Sequence, residues 1–85
     1  MSKAYVCWSR RRANGSWTKW QLLGLNPNLE HARKELVDVF GMLLMREDRG
    51  REAECDWEKM IEAAKTAEIG DVLECDERQW RITFE

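Results

Sequence analysis

From Leu29 onward the apolar positions fall at Leu29, Ala32, Leu36, Val39, Phe40 and Leu43. That spacing is a single helical stripe. It predicts a helix from Pro27 to Met45 or slightly beyond, capped by Asn26 or Asn28, with Pro27 suited to the first turn. A second stripe, Ala53, Trp57, Met60, Ile61, Ala64 and Ala67, predicts another helix from about Ala53 to Glu68, with Gly70 as its stop. Between them the charged run REDRGRE, Arg46 to Glu52, surrounds Gly50. Glycine inside a helix costs about 1 kcal/mol against alanine, which favours a break there over one continuous helix.

The flanks change period. Ala4 to Leu25 reads as a β-hairpin: AYVCW is rich in aromatic and β-branched residues, Asn14-Gly15 tolerates the positive φ of a tight turn, and SWTKWQLL returns. A two-residue loop would set Arg10 opposite Lys19, a destabilising like-charge pair. A loop of Asn14 to Ser16 would set Arg10 opposite Trp20 and Trp8 opposite Leu22, and is preferred. The tail DVLECDERQWRITFE reads as a second hairpin turning at Glu77 and Arg78. That register sets Cys75 opposite Trp80, Leu73 opposite Ile82 and Asp71 opposite Phe84, with Glu74 meeting Arg81 and Val72 meeting Thr83 on the other face. Neither hairpin is stable alone. The expected fold is therefore one α+β domain of order β-β-α-α-β-β, a four-stranded antiparallel sheet from two hairpins with two helices packed on one face.

Length and composition narrow the class. An 85-residue chain buries roughly 60% of its unfolded surface, so its core is small. Charged residues make up 35%, with five tryptophans and one proline. This is a globular balance with a heavily charged surface. There is no apolar run near the roughly 20 residues of a membrane span, and MSKAYVCW lacks the apolar core of a signal peptide; the expectation is a cytoplasmic protein with no membrane partner. Cys7, Cys55 and Cys75, odd in number and widely spaced, are expected to be buried free thiols.

The formal net charge of −2 hides a gradient. Residues 1–20 hold five bases and no acid, while residues 46–85 hold thirteen acids against seven bases. If the fold keeps these segments apart, the molecule is electrically bipolar. Each pole is a candidate site. The basic hairpin at residues 9–20 offers Arg10, Arg11, Arg12, Lys19 and Trp17 to a partner or to nucleic acid, since cations hold phosphates and aromatic faces stack bases. The acidic set, Glu52, Glu54, Asp56, Glu58, Glu62, Asp76 and Glu77, offers a face to a basic groove. Met42 and Met45 fall on the polar side of the first helix, where exposed methionines adapt to partners.

Catalysis is not expected. His31 is the only histidine, on the polar side of the first helix with Glu35 four residues on, and reads as a surface residue. The glycines are scattered rather than grouped into a phosphate loop. No cofactor or metal site is expected.

The stretch AYVCWSRRRANGSWTKW, followed by a helix opening with NLEHARKEL, resembles the small hairpin-plus-helix arm domains that precede phage integrases. That resemblance implies a basic sheet entering a DNA groove. A short, charged, motif-free α+β chain also resembles the accessory proteins that phages encode, including anti-CRISPR inhibitors. This resemblance implies a plug that binds and inhibits a larger host protein or ribonucleoprotein complex handling nucleic acid, as a monomer or small homo-oligomer. A nucleic-acid-binding regulator is the alternative. A structural subunit assembling through an open sheet edge or through Met42 and Met45 is a third reading.

Overall fold

A computed structural model of the chain describes residues 3–47, 55–75 and 77–84. The elements follow the expected order: β1 (Ala4–Arg10), β2 (Gln21–Asn26), α1 (Leu29–Glu47), α2 (Trp57–Lys65), β3 (Val72–Cys75) and β4 (Arg78–Phe84). The strands form one open antiparallel sheet in the order β2-β1-β4-β3, so the two hairpins meet through β1 and β4. The α+β class and the four-stranded sheet are as the pattern predicts.

Alternation along the central strands explains the core. Ala4 and Val6 of β1, and Trp80 and Ile82 of β4, point to the helix side and join Ala32, Leu36 and Phe40 of α1 and Trp57 and Ala64 of α2. Phe40, Trp57 and Trp80 meet pairwise at ring-centroid distances of 4.9 to 5.9 Å, two of the three contacts edge-on. That is the geometry aromatic quadrupoles favour.

The first helix matches its stripe: Ala32, Leu36 and Phe40 are fully buried and Leu29, Val39 and Leu43 pack around them. Asn28 is its cap, accepting the His31 N–H at 2.9 Å, so Pro27 stands just outside the helix. The second helix is shorter than its stripe suggests. It begins at Trp57, because Asp56 caps it by accepting the Lys59 N–H at 3.1 Å, and it ends at Lys65. Ala67 stays buried beyond its end, extending the apolar period past the helix itself. Gly70 does not close α2. It sits at φ +90° in the turn leading into β3, with its N–H donated to Ile82 O at 2.9 Å. The expected break around Gly50 lies outside the described residues.

Both hairpin registers differ from expectation. In the second, Leu73 pairs with Trp80, Glu74 with Gln79 and Cys75 with Arg78, two residues away from the expected pairing. A shift of two preserves the faces, so Leu73 still shares the core side with Trp80. It removes the Glu74–Arg81 pair, however. In the first hairpin, Trp8 pairs with Gln21 rather than Leu22, and the ladder bulges between Val6 and Cys7. The turn is Arg12–Ser16: Gly15 N–H reaches Arg12 O at 2.9 Å and Arg12 N–H reaches Ser16 O at 2.6 Å. Asn14 Oδ1 accepts the Ser16 N–H at 3.0 Å, and Gly15 takes φ +90°, so Asn14-Gly15 makes the turn as its chemistry predicts. Thr18 N–H then returns to Arg10 O at 2.8 Å, a register inconsistent with Trp8 opposite Gln21 unless the chain loses step in between. Residues 18–20 absorb that mismatch.

The cysteines also depart from expectation. Cys55 and Cys75 form a disulfide, with their Cα atoms 5.8 Å apart, and only Cys7 is a free thiol. Twenty residues separate the pair in sequence, but the entry to α2 and the exit of β3 meet in space.

Candidate functional site

Because β1 and β4 run antiparallel with Arg10 opposite Arg78, the end of β1 meets the start of β4. The basic tip that follows β1 and the acidic turn that precedes β4 therefore share one end of the sheet. Arg11 N–H donates to Glu77 O at 2.7 Å, extending the pairing one step past the strands, and the Arg11 guanidinium lies 3.6 Å from Glu74. Among the described residues, Glu74 and Glu77 of the acidic second half therefore do not stand apart from the basic tip. The sequence order of bases then acids becomes a mixed-charge surface, since antiparallel pairing folds the gradient back on itself.

The tip beyond this junction is internally braced. Arg12 Nη1 donates to Ser16 Oγ at 3.2 Å and to Trp17 O at 3.0 Å. Arg11 lies over the Trp17 ring at 5.0 Å, a cation–π contact that leaves the half-buried indole at the surface. Arg10 and Lys19 are exposed. Such bracing lowers the entropy lost when arginine and tryptophan side chains meet a partner.

The acidic candidates divide. Asp56 spends its carboxylate on the α2 cap, and Glu62 pairs with Lys65 at 3.0 Å. Glu58, in the first turn of α2, and Glu77 are exposed. Glu52, Glu54 and Asp76 lie outside the described residues. Of this set, Glu77 joins the sheet end with Arg10, Arg11 and Arg12, and the disulfide from Cys75 to Cys55 places Asp56 and the start of α2 beside it. Glu74 is there as well, because it pairs with Arg11 of the tip. Arg78 stands at the same end, its guanidinium 5.3 Å from the Trp57 ring and 5.8 Å from Trp80.

A second cluster lies on the sheet face away from the helices. Cys7 pairs with Arg81 and Ser9 with Gln79, and Cys7, Ser9 and Gln79 are buried although no helix covers them. The cover is the irregular segment 18–20. Ser9 Oγ donates to Thr18 O at 2.7 Å, and the Trp20 ring lies over the Arg81 guanidinium at 4.3 Å. Arg81 Nε is buried with no hydrogen-bond partner among the described residues. Burial pushes the Cys7 thiol up from its ordinary value, and the Arg81 charge offsets part of that. This thiol is neutral and shielded at neutral pH, unlike an activated cysteine. Sequence reading placed Trp20 in a regular strand and missed the cluster; the alternation of Cys7, Ser9, Gln79 and Arg81 on one face was its available signal.

Elsewhere, a shallow groove of about 620 Å³ runs along α1 and reaches Lys65, lined by Glu30, Arg33, Lys34, Val37 and Asp38. Arg33 is held by Ala67 O at 2.7 Å and Glu68 at 2.9 Å, so its charge is already partnered. His31 contacts Asn28 Oδ1 through Nδ1 at 2.9 Å and is exposed. Among the described residues no group of three histidine, cysteine or carboxylate side chains could hold a metal ion, and no helix is long and apolar enough to cross a membrane.

The chain matches no protein-family model, no curated protein and no solved structure.

Proposed function

We propose that the protein is a small interaction protein that docks the tip end of its sheet onto a larger nucleic-acid-handling protein or ribonucleoprotein and inhibits it, without chemistry of its own. It would act in the cytoplasm, in the manner of the phage accessory inhibitors it resembles. One observation carries this reading: Arg10, Arg11, Arg12 and Trp17 share an end with Glu74 and Glu77. Arginine and tryptophan are the residue types that dominate protein interfaces, and charges of both signs side by side fit a protein surface better than a uniform row of phosphates. Arg11 is already committed to a carboxylate, which lowers the cationic field of the tip.

The test is capture from host lysate with and without nuclease, using the wild type and the triple variant Arg10→Glu, Arg11→Glu, Arg12→Glu. The reading expects nuclease-resistant capture of a nucleic-acid-handling protein, lost in the variant while its circular dichroism is retained. Undiminished capture by the folded variant contradicts it.

A second reading is favoured by the projection of the tip past β4. There Arg10, Arg12 and Lys19 could contact phosphates while Trp17 stacks a base. It predicts binding to plain duplex or single strand that weakens steeply with salt. A flat mobility-shift titration at low salt removes it.

A further inference from the structure

The two edges of the sheet are unlike. The β3 edge is four residues long and carries Glu74, which is engaged with Arg11. The β2 edge is the six-residue run QLLGLN, with no charge and no proline. Among the described residues no strand pairs with its outer side. Leu22, Leu23 and Leu25 are 63%, 41% and 51% exposed. Proteins normally protect such an edge with lysine, proline or a cover, because its unpaired N–H and C=O groups template further pairing. Among the described residues, lysine, proline and a cover are absent from β2; the one such device it carries is the bulge at Leu23, between the Val6–Gly24 and Cys7–Leu22 pairs.

Leu22 and Leu25, opposite Cys7 and Tyr5, lie on the sheet face away from the helices, and α1 flanks the other face of the same strand. Glu35 faces β2, since its carboxylate accepts from Asn26 Nδ2 at 3.0 Å and occupies the space where a side chain on Gly24 would stand. Met42 lies seven residues on, two helical turns along the same side, and is 61% exposed.

We propose that β2 is a self-association edge, on which a second copy of this chain docks by antiparallel β2–β2 pairing flanked by Leu22, Leu23, Leu25 and Met42 of both copies. A two-fold seam sets each patch against itself. On a chain that is 35% charged, most patches would bring like charges together, whereas the uncharged β2 does not. An antiparallel main-chain edge is also self-complementary, each copy offering the donors and acceptors the other needs. The product is a continuous eight-stranded sheet, with the two arginine tips pointing in opposite directions. The seam is a strand pair with a few side chains, smaller than a standard interface, so the dimer forms in a concentration-dependent way.

Sedimentation equilibrium across a wide concentration range tests this, with hydrogen exchange read in parallel. The expected result is a shift from 10.1 kDa toward twice that mass, with amide protection rising with concentration across Gln21–Asn26. The double variant Leu23→Lys, Leu25→Lys should weaken the dimer at least about tenfold, because like charges then face each other across the seam. Met42→Lys, placed on the helix where it cannot disturb the strand, should weaken it less. A wild type that stays monomeric at millimolar concentration overturns the proposal. So does a dimer that both variants leave unchanged, or protection of β2 that appears only when another protein is bound.

Discussion

The two hairpins turn at the same end of the sheet, the first with a long connection from Arg10 to Gln21 and the second with a tight one from Cys75 to Arg78, and they are held by different means. The second is fixed from inside: Trp80 and Ile82 enter the aromatic core, and the disulfide from Cys75 to Cys55 ties its turn to α2. The first is fixed along β1 only. Ala4 and Val6 are core and pairing with β4 continues through Arg10 and the Arg11–Glu77 bond, but from Arg12 on the chain is braced by its own polar contacts. The contrast separates stability from availability. One hairpin spends Trp80 on the core, and the other keeps Trp17 and three arginines at the surface.

The sharpest break in this contrast is the exchange of tryptophans for alanine. Trp80→Ala should cost about 3–5 kcal/mol, enough to unfold much of a domain of this size, whereas Trp17→Ala should cost under about 1 kcal/mol and act on binding instead. Urea denaturation of the two variants, run side by side, measures the difference. Equal losses would mean that the tip belongs to the core.

Next is the staple. Replacing Cys55 and Cys75 by serine, or reducing the wild type, should cost about 3 kcal/mol from the loop of twenty residues it closes. The loss should appear as a lower denaturation midpoint and as faster hydrogen exchange in β3, leaving the amides of the first tip unchanged. In reducing surroundings the second hairpin then depends on the burial of Trp80 and Ile82 and on the pairing of β4 with β1.

Gly24→Ala probes the base of the first hairpin. The added methyl group would land on the Glu35 carboxyl, which must move and release Asn26. The carboxyl is the far end of a flexible side chain, so a loss of no more than about 1 kcal/mol, that of the hydrogen bond, is expected. The pair Gly24→Ala, Glu35→Ala should lose less than the sum of the single variants, as a denaturation double-mutant cycle would show.

The smallest effect concerns the cover on the open face. The folded Cys7 thiol is raised above its ordinary value of 9.0 by burial, with Arg81 pulling the other way. A raised acid contributes stability that is complete below the unfolded value and is lost as pH rises through the folded one. The melting temperature of the wild type should therefore fall more steeply above about pH 9 than that of Cys7→Ala. Parallel slopes would mean that segment 18–20 does not shield the thiol.

Legibility in the sequence followed the strength of the pattern. The α1 stripe is long and has a side-chain cap at Asn28, so its extent was readable to within two residues. The α2 stripe ran on into Ala67, and periodicity alone could not see that Asp56 opens the helix and Lys65 ends it. For the second hairpin the faces were legible, because any even shift preserves them, while the register depended on turn length. For the first hairpin the turn was legible from Asn14-Gly15. The slip at residues 18–20 was not, because Trp20 is drawn to Arg81, a partner some sixty residues away in sequence. The charge gradient was real, but its spatial meaning depended on β1 pairing with β4, which no local signal encodes.

That pairing is the central claim, since it turns two charged poles into one mixed surface. Nuclear Overhauser contacts between β1 and β4 measure it most directly. The account predicts cross-strand contacts between Ser9 and Gln79 and between Arg10 and Arg78, with the Arg11 amide slow to exchange through its bond to Glu77. Contacts confined within each hairpin, with none between residues 9–11 and 77–79, would contradict it.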